Sequence, residues 1–198
     1  MVNIDDDIRE SLDGDYPNLA FENNPITFRH LVTHRSRIPN MFPNKPEIFN
    51  NPDYDKLPYI INELQKDFSK EDFFNELRKV VIDTIPGSKF RYSNAGANLL
   101  GYCLENIYSK SFEALLKEKI LSPLNMKNTK IVLSVGDKKN LAQGYNDKNM
   151  EMPFGTEKDM EAEGGIKSTL GDMMNYVAYH LDNKNRTVQE SHHELLGL

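Results

Sequence analysis

The sequence predicts a mainly α-helical domain with few, short strands, and three observations carry that reading. Apolar residues recur at the 3.6-residue period in several separate stretches. Helix-start chemistry precedes several of them: Thr27, the Ser69-Lys70-Glu71-Asp72 box and the Thr169-Leu170-Gly171-Asp172 cap. Only residues 129–133 (Thr-Lys-Ile-Val-Leu) and 141–145 (Leu-Ala-Gln-Gly-Tyr) have the character of short strands. With 198 residues the chain is one domain by size, or part of a larger one.

The opening stretch is polar and turn-rich, with Asp5-Asp6-Asp7, Asp13-Gly14-Asp15 and Asn23-Asn24-Pro25. After Thr27, residues Phe28, Leu31 and Val32 share a helix face, and that helix ends before Pro39. Five of the ten prolines fall between Pro39 and Pro58, so about 39–58 is a long loop, equally a binding loop or a connector. Pro58 fits a first helical turn, with Ile60, Ile61, Leu64 and Phe68 behind it. The Ser69 box opens a helix carrying Phe73, Leu77, Val80 and Val81. Pro86-Gly87 breaks the chain. Leu100, Cys103, Leu104 and Ile107 then form one stripe, and Phe112, Leu115, Leu116 and Ile120 a second, ended by Pro123. A second loop covers about 146–165. The last long helix starts at Thr169 and places Met173, Tyr176, Val177, His180 and Leu181 on one side.

Composition removes several classes of function. Against 30 acidic residues there are 24 Lys and Arg, a net charge of −6, which disfavours nucleic acid because phosphates attract a cationic face. No apolar run approaches the ~18 residues of a membrane span, and the acidic start MVNIDDDIRE does not resemble a signal peptide. The single cysteine excludes an internal disulfide, and inside an apolar stripe Cys103 reads as a buried, inert thiol. His30 and His34 are one helical turn apart, but no glutamate follows His30 as in a zincin, so no metal or cofactor is expected.

Nucleophile signatures are missing from the sequence. It contains neither Gly-x-Ser-x-Gly nor Ser-x-x-Lys. The informative segment is Pro86-Gly87-Ser88-Lys89-Phe90-Arg91-Tyr92-Ser93-Asn94, leading into Ala95-Gly96-Ala97-Asn98-Leu99-Leu100. It reads as a turn, an extended piece, then a helix capped near Ser93 or Asn94. Two apart in extended chain, Tyr92 and Asn94 lie on one side and can meet a common ligand. Alternatively, Tyr92 packs and Asn94 caps the helix.

PGSKFRYSNAGANLLGYCLE resembles the Tyr-x-Asn region of serine hydrolases related to class C β-lactamases, D-alanyl-D-alanine carboxypeptidases and penicillin-binding esterases. ITFRHLVTHRSRIPN, SFEALLKEKILSPLNMKNT, LAQGY and EGGIKSTLGDMMNYVAYHL resemble further regions of that family in the same order. The resemblance implies the helical region of the α/β β-lactamase/transpeptidase-like fold, with the central antiparallel sheet largely missing, as one partial domain over 1–198. It implies catalytic roles for Tyr92, as general base and acid, and for Asn94, as a hydrogen-bonding group to substrate. It also implies acyl-enzyme hydrolysis of an amide, β-lactam or ester, with a small-molecule or peptide substrate for the full-length protein.

The departures carry as much information. The family's Ser-x-x-Lys belongs before VNIDDDI, and its Lys-Thr-Gly or His-x-Gly strand belongs after the last helix; neither occurs in the 198 residues. Arg37 stands where the family has the glycine of its His-Thr-Ser-Gly turn, at a cost of about 1 kcal/mol or more if that position has positive φ. A phenol at the reference pKa is ionised to only about one part in a thousand at pH 7, and the cations that would lower it sit in the two missing motifs. The isolated chain is therefore expected to be inactive; the alternative is a non-catalytic remnant or interaction module on the same scaffold. Helix stripes left without the sheet would expose several hundred Å² of apolar surface, favouring self-association. Relatives are often exported, which leaves localisation open.

Overall fold

The computed structural model describes residues 2–155 and 161–193. A 3₁₀ turn at Ile8–Ser11 is capped by Asp7, whose carboxylate accepts the Arg9 N–H and pairs with the Arg9 guanidinium. Asp5 pairs with the Arg29 guanidinium, so two carboxylates of the opening acidic run are held in ion pairs. The hairpin β1 (Ala20–Phe21) and β2 (Asn24–Pro25) turns through Glu22 and Asn23, both at positive φ, the geometry of a tight type I′ turn. Helix α1 (Phe28–Val32) follows Thr27 as expected.

Beyond Pro39 the chain is anchored by Met41 and Phe42, both buried, and then forms a 3₁₀ turn at Pro46–Phe49. Helix α2 (Leu57–Gln65) has Pro58 in its first turn. Helix α3 (Lys70–Leu77) has the expected box: Ser69 Oγ accepts the Asp72 N–H, and the Asp72 carboxylate accepts the Ser69 N–H. It ends at Leu77, one turn earlier than its apolar pattern suggests. Val80 still reaches the core, but Val81 leaves the helical register and is 81% exposed.

Helix α4 (Asn94–Tyr108) is the central element. Its most buried face is Ala95, Asn98, Leu99, Tyr102 and Cys103, rotated from the expected Leu100–Ile107 stripe, whose Leu100 and Ile107 are only partly buried. Gly101 is buried too, where α7 (Glu161–Gly164) lies so close that a β-carbon on it would come within 2.6 Å of Ala162 Cβ. Phe73 sits at the middle of the core, edge-on to Phe42, Phe74 and Tyr102 at 5.1–5.6 Å between centroids.

Helix α5 (Phe112–Leu116) passes into one wide π turn at Lys117–Leu121 and stops at Pro123, which has no N–H to continue it. Residues 129–133 do not form the expected strand. The N–H groups of Ile131 and Val132 go instead to the Glu113 carboxylate at 3.1 Å each, leaving a single bridge between Lys130 and Lys167. The short helix α6 (Val135–Lys138) follows, then an antiparallel pair β3 (Gly144–Tyr145) and β4 (Glu151–Met152), so only the end of 141–145 is strand. Helix α8 (Leu170–His180) starts at the Thr169 cap, and α9 (Arg186–Ser191) packs back, placing His192 Nε2 2.9 Å from His180 Nδ1. The α8 stripe is largely uncovered: Met173, Val177 and Leu181 are exposed, with Leu170 and Met174 beside them. Tyr176 instead packs on His180 at 4.4 Å. Among the described residues, the two small hairpins are the only sheets, and no helix is long and apolar enough to cross a membrane.

Candidate active site

Tyr92 and Asn94 stand where an extended segment enters α4. The segment starts at the Pro86-Gly87 turn, where Gly87 has φ +92° and a β-carbon would come within 2.8 Å of His30 Nε2. Only glycine suits that place. From there the chain lies along residues 34–40 and is tied to them repeatedly. The N–H groups of Gly87, Arg91 and Ala95 donate to the carbonyls of Arg35, His34 and Asn40 at 2.8–2.9 Å. Arg91 Nη1 donates to the Arg37 carbonyl at 3.3 Å. Contacts some fifty residues apart in sequence thus hold the candidate site.

Ser93 is the helix cap. Its buried hydroxyl donates to the Pro39 carbonyl at 2.6 Å and accepts the Gly96 N–H at 2.8 Å, so it is committed to structure rather than free to attack. Asn94 is therefore the first helical residue and not the cap; its Nδ2 donates to Asn40 Oδ1 at 3.3 Å. Ser93 itself is extended (φ −146°, ψ 108°), so the chain enters α4 directly from an extended piece. Tyr92 leans on the His34 ring, 4.4 Å between centroids, while 53% of it stays open to solvent. It is neither a core residue nor a free one.

Arg37 has φ +70°, so the non-glycine residue does occupy a left-handed position. Its guanidinium forks onto Asp83 (2.8 and 2.7 Å), and that ion pair holds the Asp83 carboxyl down to about 2. His30 Nδ1 accepts the Thr27 N–H at 3.1 Å and His34 Nδ1 accepts the Ser93 N–H at 3.3 Å, so backbone claims one nitrogen of each. Among the described residues no group of three or more His, Cys, Asp or Glu side chains is placed to hold a metal ion. Burial pushes the Cys103 thiol up to about 12, as an inert core cysteine requires. Asn40 and Asp83 escaped the reading of the sequence. Each acts on a partner some fifty residues away, and the only local signal was the position of Asn40 directly after Pro39.

The chain as a whole has recognisable relatives. The D-alanyl-D-alanine-carboxypeptidase/endopeptidase AmpH of Escherichia coli (strain K12) is 27% identical over 168 residues, which cover 83% of this chain and 38% of the relative. Beta-lactamase-like protein 2 of Dictyostelium discoideum is 30% identical over 174 residues, covering 83% of this chain and 28% of its own. Among solved structures, the Beta-lactamase/D-alanine Carboxypeptidase from Yersinia pestis, complexed with citrate, superposes with a TM-score of 0.72 at 25% identity. That match covers 97% of this chain and 51% of the other. The octameric penicillin-binding protein homologue from Pyrococcus abyssi superposes at 0.68 with 22% identity, over all of this chain and 44% of its own. The chain thus spans about half or less of the length of the proteins it matches. The Beta-lactamase family profile matches residues 2–197, nearly end to end, and the chain belongs to the Beta-lactamase family.

Proposed function

We propose that this chain carries the tyrosine–asparagine corner of an acyl-transfer site, in which Tyr92 moves the proton and Asn94 hydrogen-bonds the substrate. The observation that carries the reading is the half-exposed Tyr92, packed on the His34 ring two residues before an Asn94 whose amide is bonded to Asn40, both on a segment tied by backbone bonds to residues 34–40. A proton-transfer group must be both reachable and fixed. The family motifs that carry an attacking serine and the cations that would make a phenol basic do not occur in these 198 residues, so the chain alone is expected to be inactive. Carboxypeptidase appears in the names of two relatives, which makes a D-alanyl-D-alanine peptide the first substrate to test in a complete site.

Two assays address the two halves of this proposal. Nitrocefin and a p-nitrophenyl ester are expected to turn over at the buffer rate with the purified chain; turnover lost in Tyr92→Phe would overturn the inactivity. Grafting residues 34–40 and 85–95 together into the Escherichia coli relative is expected to preserve peptide hydrolysis. Tyr92→Phe within the graft should then lower it by about 10²–10⁴-fold, the range of a lost general acid–base. A graft indifferent to that change would remove Tyr92 from the chemistry.

A second reading rests on α8, whose Leu170, Met174, Val177 and Leu181 form an exposed apolar stripe. It supports an interaction module that associates with a second copy. Sedimentation velocity would detect a dimer that Val177→Lys dissolves, whereas a monomer at all concentrations would dismiss this reading.

A further inference from the structure

We propose that His34 is the positioning residue of the Tyr92 phenol. The inference rests on the role given to Tyr92 above, but its test does not depend on turnover.

One residue, His34, meets four consecutive residues of the opposing segment. Phe90 stands edge-on to its ring at 6.1 Å. Its carbonyl accepts the Arg91 N–H at 2.8 Å. Its ring stacks on Tyr92 at 4.4 Å with a 35° tilt. Its Nδ1 accepts the Ser93 N–H at 3.3 Å. The two side-chain contacts act on different freedoms of Tyr92. The stack limits rotation of the aromatic ring, and the Nδ1 bond fixes the backbone that follows it. Because Nδ1 is an acceptor, the proton of the neutral imidazole sits on Nε2.

The backbone of His34 is itself unusual. Its φ is +53°, a left-handed conformation that few non-glycine residues adopt. That turn follows the end of α1 and directs the imidazole at residues 90–93 instead of along the helix. Ordinary packing would not need both the ring and the ring nitrogen, since an aliphatic side chain could fill the space. The combination suits a tyrosine whose phenol must stay in solvent yet in one place, because reacting groups displaced by even about 1 Å can lose on the order of 10²-fold in rate.

Two substitutions separate the contacts. His34→Phe keeps a ring and loses the acceptor, whereas His34→Asn keeps a short acceptor and loses the ring. Labelled tyrosine rings followed by NMR, with Tyr92 assigned through Tyr92→Phe, report the stack. Amide exchange of Ser93 reports the bond, and the buried Tyr102 ring is the control for the fold. In His34→Phe the Tyr92 ring signal should stay displaced while Ser93 exchange quickens by up to about tenfold, the scale of one hydrogen bond. In His34→Asn Ser93 protection should survive and the Tyr92 signal should collapse to its free position. An unmoved Tyr92 signal in His34→Asn, or unmoved Ser93 exchange in His34→Phe, overturns the proposal. Equal disturbance of Tyr92 and Tyr102 in both variants also overturns it, since it marks a folding residue. Should Tyr92 prove irrelevant to turnover in the graft, the two NMR results would still stand, so the two failures are distinguishable.

Discussion

The two ends of the chain use the same helical pattern and reach opposite outcomes. From Ile8 to Cys103 the apolar residues converge on one core, with Ile8, Leu19, Ile26, Ile38, Phe73, Leu77 and Leu99 fully buried. From Ser109 onward, burial is scattered over single anchors such as Leu115, Ile131 and Val188. The capped α8 turns its apolar stripe to solvent there. An amphipathic stripe is a demand for a neighbour and not its guarantee. In the first region the demand is met where α1 packs on α4 and Phe73 of α3 reaches Phe42 and Tyr102. In the second, α5 and α7 lie against α4, while α8 keeps its apolar stripe exposed.

The sharpest way to break the contrast is a matched pair of truncations. Phe73→Ala is expected to cost about 3–5 kcal/mol by chemical denaturation, whereas Leu170→Ala on α8 should stay within about 0.5 kcal/mol. Equal losses would mean that α8 is covered in solution. The seam between α7 and α4 supplies the next effect. Burial pushes the Glu163 carboxyl up to about 7; Gln65 donates to it, while its Oε2 has no partner. The folded state thus holds a proton that the unfolded chain releases near its ordinary 4.5. Stability should therefore fall as pH rises from about 4.5 to 7 and then level off, by about 3 kcal/mol at most. Glu163→Gln should flatten that slope in melts at pH 5 and 8, and an unchanged slope would show the carboxyl to be solvated.

Gly101→Ala is a smaller blow at the same seam. The added methyl meets Ala162 head-on, which should cost about 1–3 kcal/mol and loosen α7 from α4, read by amide exchange over Glu161–Gly164. The mildest case lies by the candidate site. Arg37→Gly relieves the left-handed strain of about 1 kcal/mol but loses an exposed ion pair of similar or smaller worth, so stability should move by less than about 1 kcal/mol. The informative readout is Asp83. Its carboxyl should rise from about 2 toward the ordinary 3.8 in an NMR titration. In the parent the pair's small contribution is present above about pH 4 and vanishes as pH falls through about 2.

Much of the fold was readable because its signals are local. Ser69 with Asp72, Thr169 with Asp172, Pro58 in a first turn and Pro123 at a stop depend on neighbours within one helical turn. The failures share one cause, which is competition from a distant partner. Residues 129–133 have strand character, yet Glu113 takes their amides. Val81 continues an apolar pattern beyond the end of α3, where Asn18 Nδ2, some sixty residues away, donates to the Leu77 and Val80 carbonyls. At the candidate site Tyr92 and Asn94 stood out in the sequence. Asn40 did not, and His34 did so only as a possible metal ligand, because the contacts by which they hold the segment lie across more than fifty residues.

By itself, then, the sequence determined where the capped helices begin, that Cys103 would lie in a core, and the order of motifs that marks the family. Each is set by backbone chemistry or by side-chain pattern over short range. The tertiary structure decided which apolar stripes found partners, that Ser93 rather than Asn94 caps α4, and that Arg37 sits left-handed with Asp83 as counter-ion. Those outcomes depend on which surfaces and charges meet in space, and a one-dimensional pattern carries no term for that choice.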